Sequence, residues 1–268
     1  MPKIAILSDI HSNLPALTAV LQEVRAAGIT EICFGGDTVG YAAQPDECVN
    51  LVRHHGGNSV MGNHDYYTTA VLDHPENIPT GNSWTDNPVW AGVIHAARSL
   101  SADNARWLAH LPGFLKIPGA IVGHAAMHDL DNWPYLQSLN DAEPTLQELA
   151  RGEVHVGFFG HTHIQTHFAD PFAAIKPERL KGDRLHLPEG VVCAVLVGSV
   201  GQPRDADARA AWAIWDPEKR IVEFRRTAYP AWETAHKIID ANLPESSALR
   251  LLDREGTRKF RERINPSA

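Results

Sequence analysis

Short apolar runs alternate with helix-periodic segments over the first quarter of the chain. Ile4-Ala5-Ile6-Leu7 is a continuous apolar tetrapeptide, the pattern of a strand buried on both faces. Asn13 follows as a cap, Leu17, Val20, Leu21 and Val24 recur at helical spacing, and Gly28 ends the segment. Ile32-Cys33-Phe34 reads as a second strand, Pro45 to His55 as a helix, and Ser59-Val60-Met61 as a third short strand. Strand, helix, strand, helix, strand predicts right-handed parallel crossovers, with functional residues at the carboxyl ends of the strands.

From Tyr66 to Pro112 the pattern turns helical and aromatic, with Trp84, Trp90 and Trp107 among polar residues, and predicts two or three helices covering one side of the sheet. Phe114 to Ile117, Ala120 to Val122 and Val154 to Phe159 read as strands, with a helix over Asp141 to Arg151 between the last two. Beyond them the signals become antiparallel: Gln165 to Phe168, Arg184 to Leu187, Val192 to Val197, Ala210 to Trp215 and Ile221 to Arg226, the last two joined by the turn Asp216-Pro217-Glu218-Lys219. Trp232 to Ala241 and Ser247 to Arg254 are closing helices, and the charged tail after Arg254 is expected to fray. No repeat, low-complexity stretch or linker divides the sequence, so residues 1–268 are expected to form one domain with a helical covering segment at about 66–112.

Composition narrows the chemistry. A 44% hydrophobic content in 268 residues fits an ordinary globular interior. The formal net charge of −8 supplies no basic footprint, so bulk nucleic-acid binding is not expected, although a local site could hold one phosphate. Met1-Pro2-Lys3 followed at once by Ile4–Leu7 and then Asp9 is too short to read as a signal peptide, and no long apolar run follows, so neither a leader nor a membrane partner is expected. Cys33, Cys48 and Cys193 are odd in number and widely spaced, which suggests buried thiols of a reduced, cytoplasmic protein. Histidine stands out, with 15 residues.

Five polar clusters stand at the ends of the expected strands: Asp9-Ile10-His11, Gly36-Asp37, Gly62-Asn63-His64-Asp65, Gly123-His124 and Gly160-His161-Thr162-His163. Each alone is more often a satisfied turn than a site. Their ordered recurrence is far harder to obtain by accident. Residues at i and i+2 of an extended segment project to the same side, so Asp9 with His11, and His161 with His163, can each converge on one site. Imidazole, carboxylate and amide oxygen without cysteine suit divalent manganese, iron, nickel, cobalt or zinc. Seven ligands exceed what one four-coordinate ion needs. Two ions roughly 3.5–4 Å apart, sharing a carboxylate, would use them all. His128 lies close after His124 and could line the pocket. Arg204 is a candidate phosphate contact, with an internal pair to Asp205 or Asp207 as the competing reading.

This ordered set resembles the calcineurin-like metallophosphoesterases, and within them the small bacterial and archaeal branch of phosphodiesterases and diadenosine-tetraphosphatase-like proteins. The likeness extends through Ser12-Asn13-Leu14-Pro15-Ala16-Leu17, Val39-Gly40-Tyr41, Trp107-Leu108, Leu111-Pro112 and Gly198-Ser199-Val200-Gly201-Gln202-Pro203-Arg204-Asp205, covering residues 3 to about 228. The resemblance implies an α/β fold of four layers, α-β-β-α, with two mixed sheets and a metal centre on loops at one edge. It implies two divalent ions, one held by Asp9, His11, Asp37 and His163, the other by Asp37, Asn63, His124 and His161. It implies a small phosphorylated substrate, attacked by a water or hydroxide held by the metals, with His64 as imidazolium near the leaving-group oxygen.

Two departures matter. Protein Ser/Thr phosphatases of the superfamily carry Asp-Arg-Gly where this chain has Gly40-Tyr41-Ala42, which removes the acid partner of His64 and leaves Asp65 to support the turn or orient the ring. Relatives place Asn-Pro where Leu196-Val197 stands. Two competing readings remain: a non-catalytic metal-binding interaction module of the same fold, and a mononuclear zinc hydrolase.

Overall fold

The computed structural model describes residues 1–74, 76, 83–205 and 207–264. Ile4–Leu7 (β1) and Glu31–Phe34 (β2) pair in parallel around the helix Leu14–Ala26 (α1), as the alternating runs predict. Asn13 caps α1, its side chain accepting from the Ala16 N–H at 3.2 Å. After the helix Pro45–His54 (α2), Ser59 makes only an isolated parallel bridge to Phe34 instead of a strand. The run is cut short because Gly62 begins the helix Asn63–Asp73 (α3).

Ser83–Asp86 (α4), Pro88–Ser99 (α5) and Ala102–Ala109 (α6) complete the covering segment; its residues 75 and 77–82 lie outside the described residues. Phe114–Ile117 (β3), Ala120–Gly123 (β4), the helix Leu139–Arg151 (α7) and Val156–Phe159 (β5) follow. Then come Gln165–Ala169 (β6), Glu178–Leu180 (β7), Arg184–His186 (β8), Cys193–Val197 (β9), Ala210–Asp216 (β10) and Ile221–Thr227 (β11). Three helices close the chain: Ala231–Asp240 (α8), Glu245–Leu249 (α9) and Arg254–Ile264 (α10).

The strands form two mixed sheets, β2-β1-β10-β11-β8-β7 and β3-β4-β5-β9-β6. Alternation along β1 sets the layers. Ile4 and Ile6 face the other sheet and pack with Val122, Phe158, Val195 and Trp215, while Ala5 and Leu7 face α1 beside Leu17 and Val20. Ala142, Leu146 and Leu149 of α7 cover Phe159, Ala194 and Leu196 on the far side. The result is the four-layer α-β-β-α sandwich that the resemblance implies.

Three differences have local causes. β9 is parallel to β5 and antiparallel to β6, so the change to antiparallel pairing falls within one strand's two neighbours. β7 carries no apolar run, and the edge pairing with β8 alone organises it. The tail after Arg254 is helical up to Ile264, anchored by buried Phe260, whose ring meets Trp232 at a centroid distance of 5.5 Å. Residues 265–268 lie outside the described residues. Among the described residues no helix is long and apolar enough to cross a membrane.

Candidate metal centre

Asp9 follows β1, Asp37 follows β2, His124 follows β4, and His161 and His163 follow β5, so one edge of the sandwich gathers them. The chain bends sharply to do this. Asp9, His11, Ser12, Asp37, Tyr41, His161 and His163 all have φ between 48° and 65°, and most of the non-glycine left-handed residues among those described are these. Such backbone costs about 1–3 kcal/mol per residue, and strained positions of this kind cluster at functional sites.

Gly62-Asn63-His64-Asp65 is the first turn of α3 and not a free turn. Its exposed N–H groups are taken by carboxylates, as a helix N-terminus favours. Asp37 Oδ1 accepts from the His64 N–H at 2.8 Å, and Asp65 accepts from the Gly62 and Val39 N–H groups, each at 3.1 Å. Asp65 therefore clamps the helix start to the loop after β2. Burial, and then the Asp37 charge, push its carboxyl up to about 7. Gly62 is required by contact, since a Cβ there would strike Asp37 Oδ1 and its backbone nitrogen.

Donor atoms converge in three overlapping groups: Asp9, His11 and His163; His11, Asp37 and His64; Asp37, His124 and His161. The i, i+2 pairs therefore behave differently: Asp9 and His11 come together, while His161 and His163 go to opposite halves, although all four have left-handed backbone. His163 Nε2 lies 3.0 Å from His11 Nε2 and 3.3 Å from Asp9 Oδ1. Asp37 Oδ2 lies 3.3 Å from His124 Nε2 and 3.6 Å from His11 Nε2, between the two halves. Asn63 Oδ1 is 3.1 Å from His124 Nε2.

A backbone carbonyl holds the second nitrogen of each of these rings: Val39 O for His11 Nδ1 (3.2 Å), Gly35 O for His124 Nδ1 (2.8 Å), Gln202 O for His163 Nδ1 (2.6 Å) and Trp133 O for His161 Nε2 (2.9 Å). Each bonded nitrogen must donate, so once the ring is neutral the opposite nitrogen presents a lone pair to the cluster. Four of these donor separations, 3.0 to 3.3 Å, match the edges, about 3.0–3.4 Å, of coordination shells with bonds of about 2.1 Å, and the His11–Asp37 separation of 3.6 Å is slightly longer. The donor set fits divalent cations.

Burial and charge oppose each other throughout. Burial alone would raise Asp9, but His163 beside it outweighs burial and holds the carboxyl well below the usual range. Asp37 is held low in the same way, by His124 and then His64. Burial pushes His11 well below 6.5 despite Asp37, and takes His161 down to about 3, with His124 adding to the effect. In His124 the Asp37 carboxylate outweighs burial and raises the ring to about 9. Burial lowers His64 to about 4, Asp37 only partly offsetting it.

The family model for calcineurin-like phosphoesterases matches residues 2–165. An uncharacterized protein of Methanocaldococcus jannaschii is 33% identical over 248 residues, 90% of this chain and 94% of the relative. The chain belongs to the calcineurin-like phosphoesterases. A metallophosphoesterase from Sphaerobacter thermophilus has the same fold at a TM-score of 0.76, with 31% identity over 93% of this chain and 98% of that one. A protein of Pyrococcus horikoshii OT3 superposes at 0.72, with 18% identity over 94% and 98%, a likeness of fold alone. As a calcineurin-like phosphoesterase the chain is a hydrolase of a metal-dependent family, and its His and Asp groups are candidate metal sites.

Arg204 sits beside the centre. Neither competing acid takes it: Asp205 pairs with Arg226 and Asp207 with Arg209. Its Nη2 donates to the Tyr41 hydroxyl at 3.2 Å, and its Nε is buried without a partner. His128 is turned to α7, its Nδ1 3.4 Å from Thr145 Oγ1, and no contact with the cluster accompanies it.

Sequence reasoning did not assign Tyr41, Trp133, Tyr135 or Gln202 a place here. The Tyr41 ring lies 4.7 Å from His11 and 4.6 Å from His64, and Tyr135 stacks on His161 at 3.9 Å. Tyr41 and Gln202 fall inside motifs that carried the resemblance, which was the available signal. Trp133 and Tyr135 had none.

Proposed function

We propose that this chain is a dinuclear metal-dependent phosphoesterase hydrolysing a small phosphodiester or nucleotide phosphate. One observation carries the reading: Asp37 Oδ2 lies within 3.6 Å of donor nitrogens from both halves of the cluster, the position of a bridging carboxylate. Asp9, His11, Asp37 and His163 would hold one ion, and Asp37, Asn63, His124 and His161 the other. A mononuclear centre would leave Asn63 Oδ1 against His124 without a task.

Two divalent ions, when bound, would lower the pKa of a water molecule and offset the charge on the phosphoryl oxygens. The protein's own groups do the rest. The carbonyls of Val39, Gly35, Gln202 and Trp133 fix the rings before substrate arrives. Arg204 offers its unpaired Nε to a phosphoryl oxygen. His64 is neutral at pH 7, because burial disfavours its charged form, so it donates a hydrogen bond to the leaving-group oxygen where an imidazolium was expected. Its Nδ1 is pressed against Gly40, which leaves Nε2 to meet the substrate.

The site draws on residues from Asp9 to Arg204, which supports reading the chain as one domain. The three buried thiols, Cys33, Cys48 and Cys193, support a cytoplasmic setting. Metal-reconstituted protein tested on a bis-ester, a monoester and dinucleoside polyphosphates decides the function. Hydrolysis of the bis-ester or of a nucleotide is expected. Bound metal with no hydrolysis of any of them would favour the interaction-module reading.

A further inference from the structure

The mouth of the metal cluster carries aromatic rings that neither the donor set nor the phosphoryl chemistry uses. Tyr135 lies nearly parallel to His161, at 17° and 3.9 Å between centroids, yet remains 43% exposed. Tyr66, two residues beyond His64 on α3, is 48% exposed. The Trp133 ring lies 6.2 Å from Tyr66 and 5.9 Å from His124 between centroids. Its carbonyl is already committed to His161, and its indole Nε1 is buried without a hydrogen-bond partner.

Each feature has a cost in the free protein. Large rings left in water forgo their burial, and an indole N–H removed from water without an acceptor loses its hydration. Trp133 is also held at φ 50°, in the left-handed region. A ligand that places a flat π face against the tyrosines and a lone pair before the indole N–H removes the first two costs together. An alkyl chain offers no lone pair, and a bare phosphate offers no face. A planar heterocycle with ring nitrogens or carbonyls at its edge offers both.

We propose that Tyr66, Trp133 and Tyr135 form a shelf that binds the organic group of the substrate, and that this group is a planar heteroaromatic ring of the nucleobase type. The proposal rests on the phosphoesterase reading only in that the ring is joined to the phosphoryl group handled by the adjacent centre. Stacking on aromatic side chains tolerates different bases, so the shelf recognises the class of ring and not one base.

The test uses the full metal-reconstituted chain with two probes that contain no phosphate, adenosine and methyl riboside, read by isothermal titration calorimetry and by inhibition of bis-ester hydrolysis. Adenosine is expected to bind and to inhibit competitively, and methyl riboside to do neither at the same concentration. Tyr66→Leu should weaken adenosine by about tenfold, and Tyr66→Phe, which keeps the face, should restore it. Equal binding of the two probes, or unchanged adenosine affinity in Tyr66→Leu, overturns the shelf. Hydrolysis without adenosine binding removes the shelf and leaves the phosphoesterase reading intact. Adenosine bound through Tyr66 by a chain that hydrolyses nothing supports the shelf and removes that reading.

Discussion

His11 Nε2 lies 3.0 Å from His163 Nε2, while the Nδ1 atoms of both rings donate to the carbonyls of Val39 and Gln202. When both rings are neutral their Nε2 lone pairs face each other, an arrangement that a shared cation relieves. Divalent metal is expected to raise the melting temperature of chelator-treated protein. At a free concentration one hundredfold above Kd the gain is about 2.7 kcal/mol, or about 5–10 °C for a chain of this size. Calorimetry with and without chelator measures it.

The His124 ring, raised to about 9 by Asp37 against burial, sets a pH dependence. Without metal, the stability from this pair is fully present below about 6.5 and is lost as pH rises through about 9. Metal must displace that proton, so metal affinity should rise by up to about tenfold per pH unit from 7 to 9 while metal-free stability declines. Titration in buffers of different ionisation enthalpy would detect the released proton. Flat affinity across that range would contradict the Asp37–His124 pairing.

Two substitutions separate holding metal from using it. Asp37→Ala removes the carboxylate that, among the described residues, stands between the two halves, together with the acceptor of the His64 N–H, and should cost most bound metal and all measurable turnover. His64→Ala should keep the metal and lower kcat by about 10²–10⁴-fold. Metal analysis beside kinetics distinguishes them, and a fully active His64→Ala protein would remove the assigned role.

Arg204 and Tyr41 form a graded pair. Arg204→Ala should raise KM by about 10–100-fold, the worth of a charge-assisted hydrogen bond. Tyr41→Phe deletes only the oxygen that Arg204 Nη2 reaches and keeps the ring against His11 and His64, so it should raise KM less. Metal content is expected to stay the same in both, and its loss in Arg204→Ala would mean that the arginine supports the cluster instead of the substrate.

Much of this fold was legible because its signals are local. Ile4 to Leu7 and the periodic Leu17, Val20, Leu21 and Val24 describe a buried strand and its covering helix without outside help. The donor residues were legible as chemistry at strand ends. Their geometry was not, since left-handed backbone is uncommon for any single non-glycine residue, and its enrichment in Asp and His is too weak a signal to place it at Asp9, Asp37, His161 and His163. Asn63 to Asp65 read as a turn because α3 has almost no apolar periodicity at its start; carboxylates from Asp37 and Asp65 stabilise that end. Trp133 and Tyr135 reach His161 from about thirty residues away, a proximity that only the folded chain creates.

The position of Asp37 between the two halves of the cluster, read as a bridge, predicts a number. Metal-free protein titrated with manganese, with bound metal and bis-ester hydrolysis followed in the same samples, should saturate at about two ions per chain, with activity tracking the second. Saturation at one ion with full activity, or two ions with no hydrolysis of any phosphoester, would contradict it.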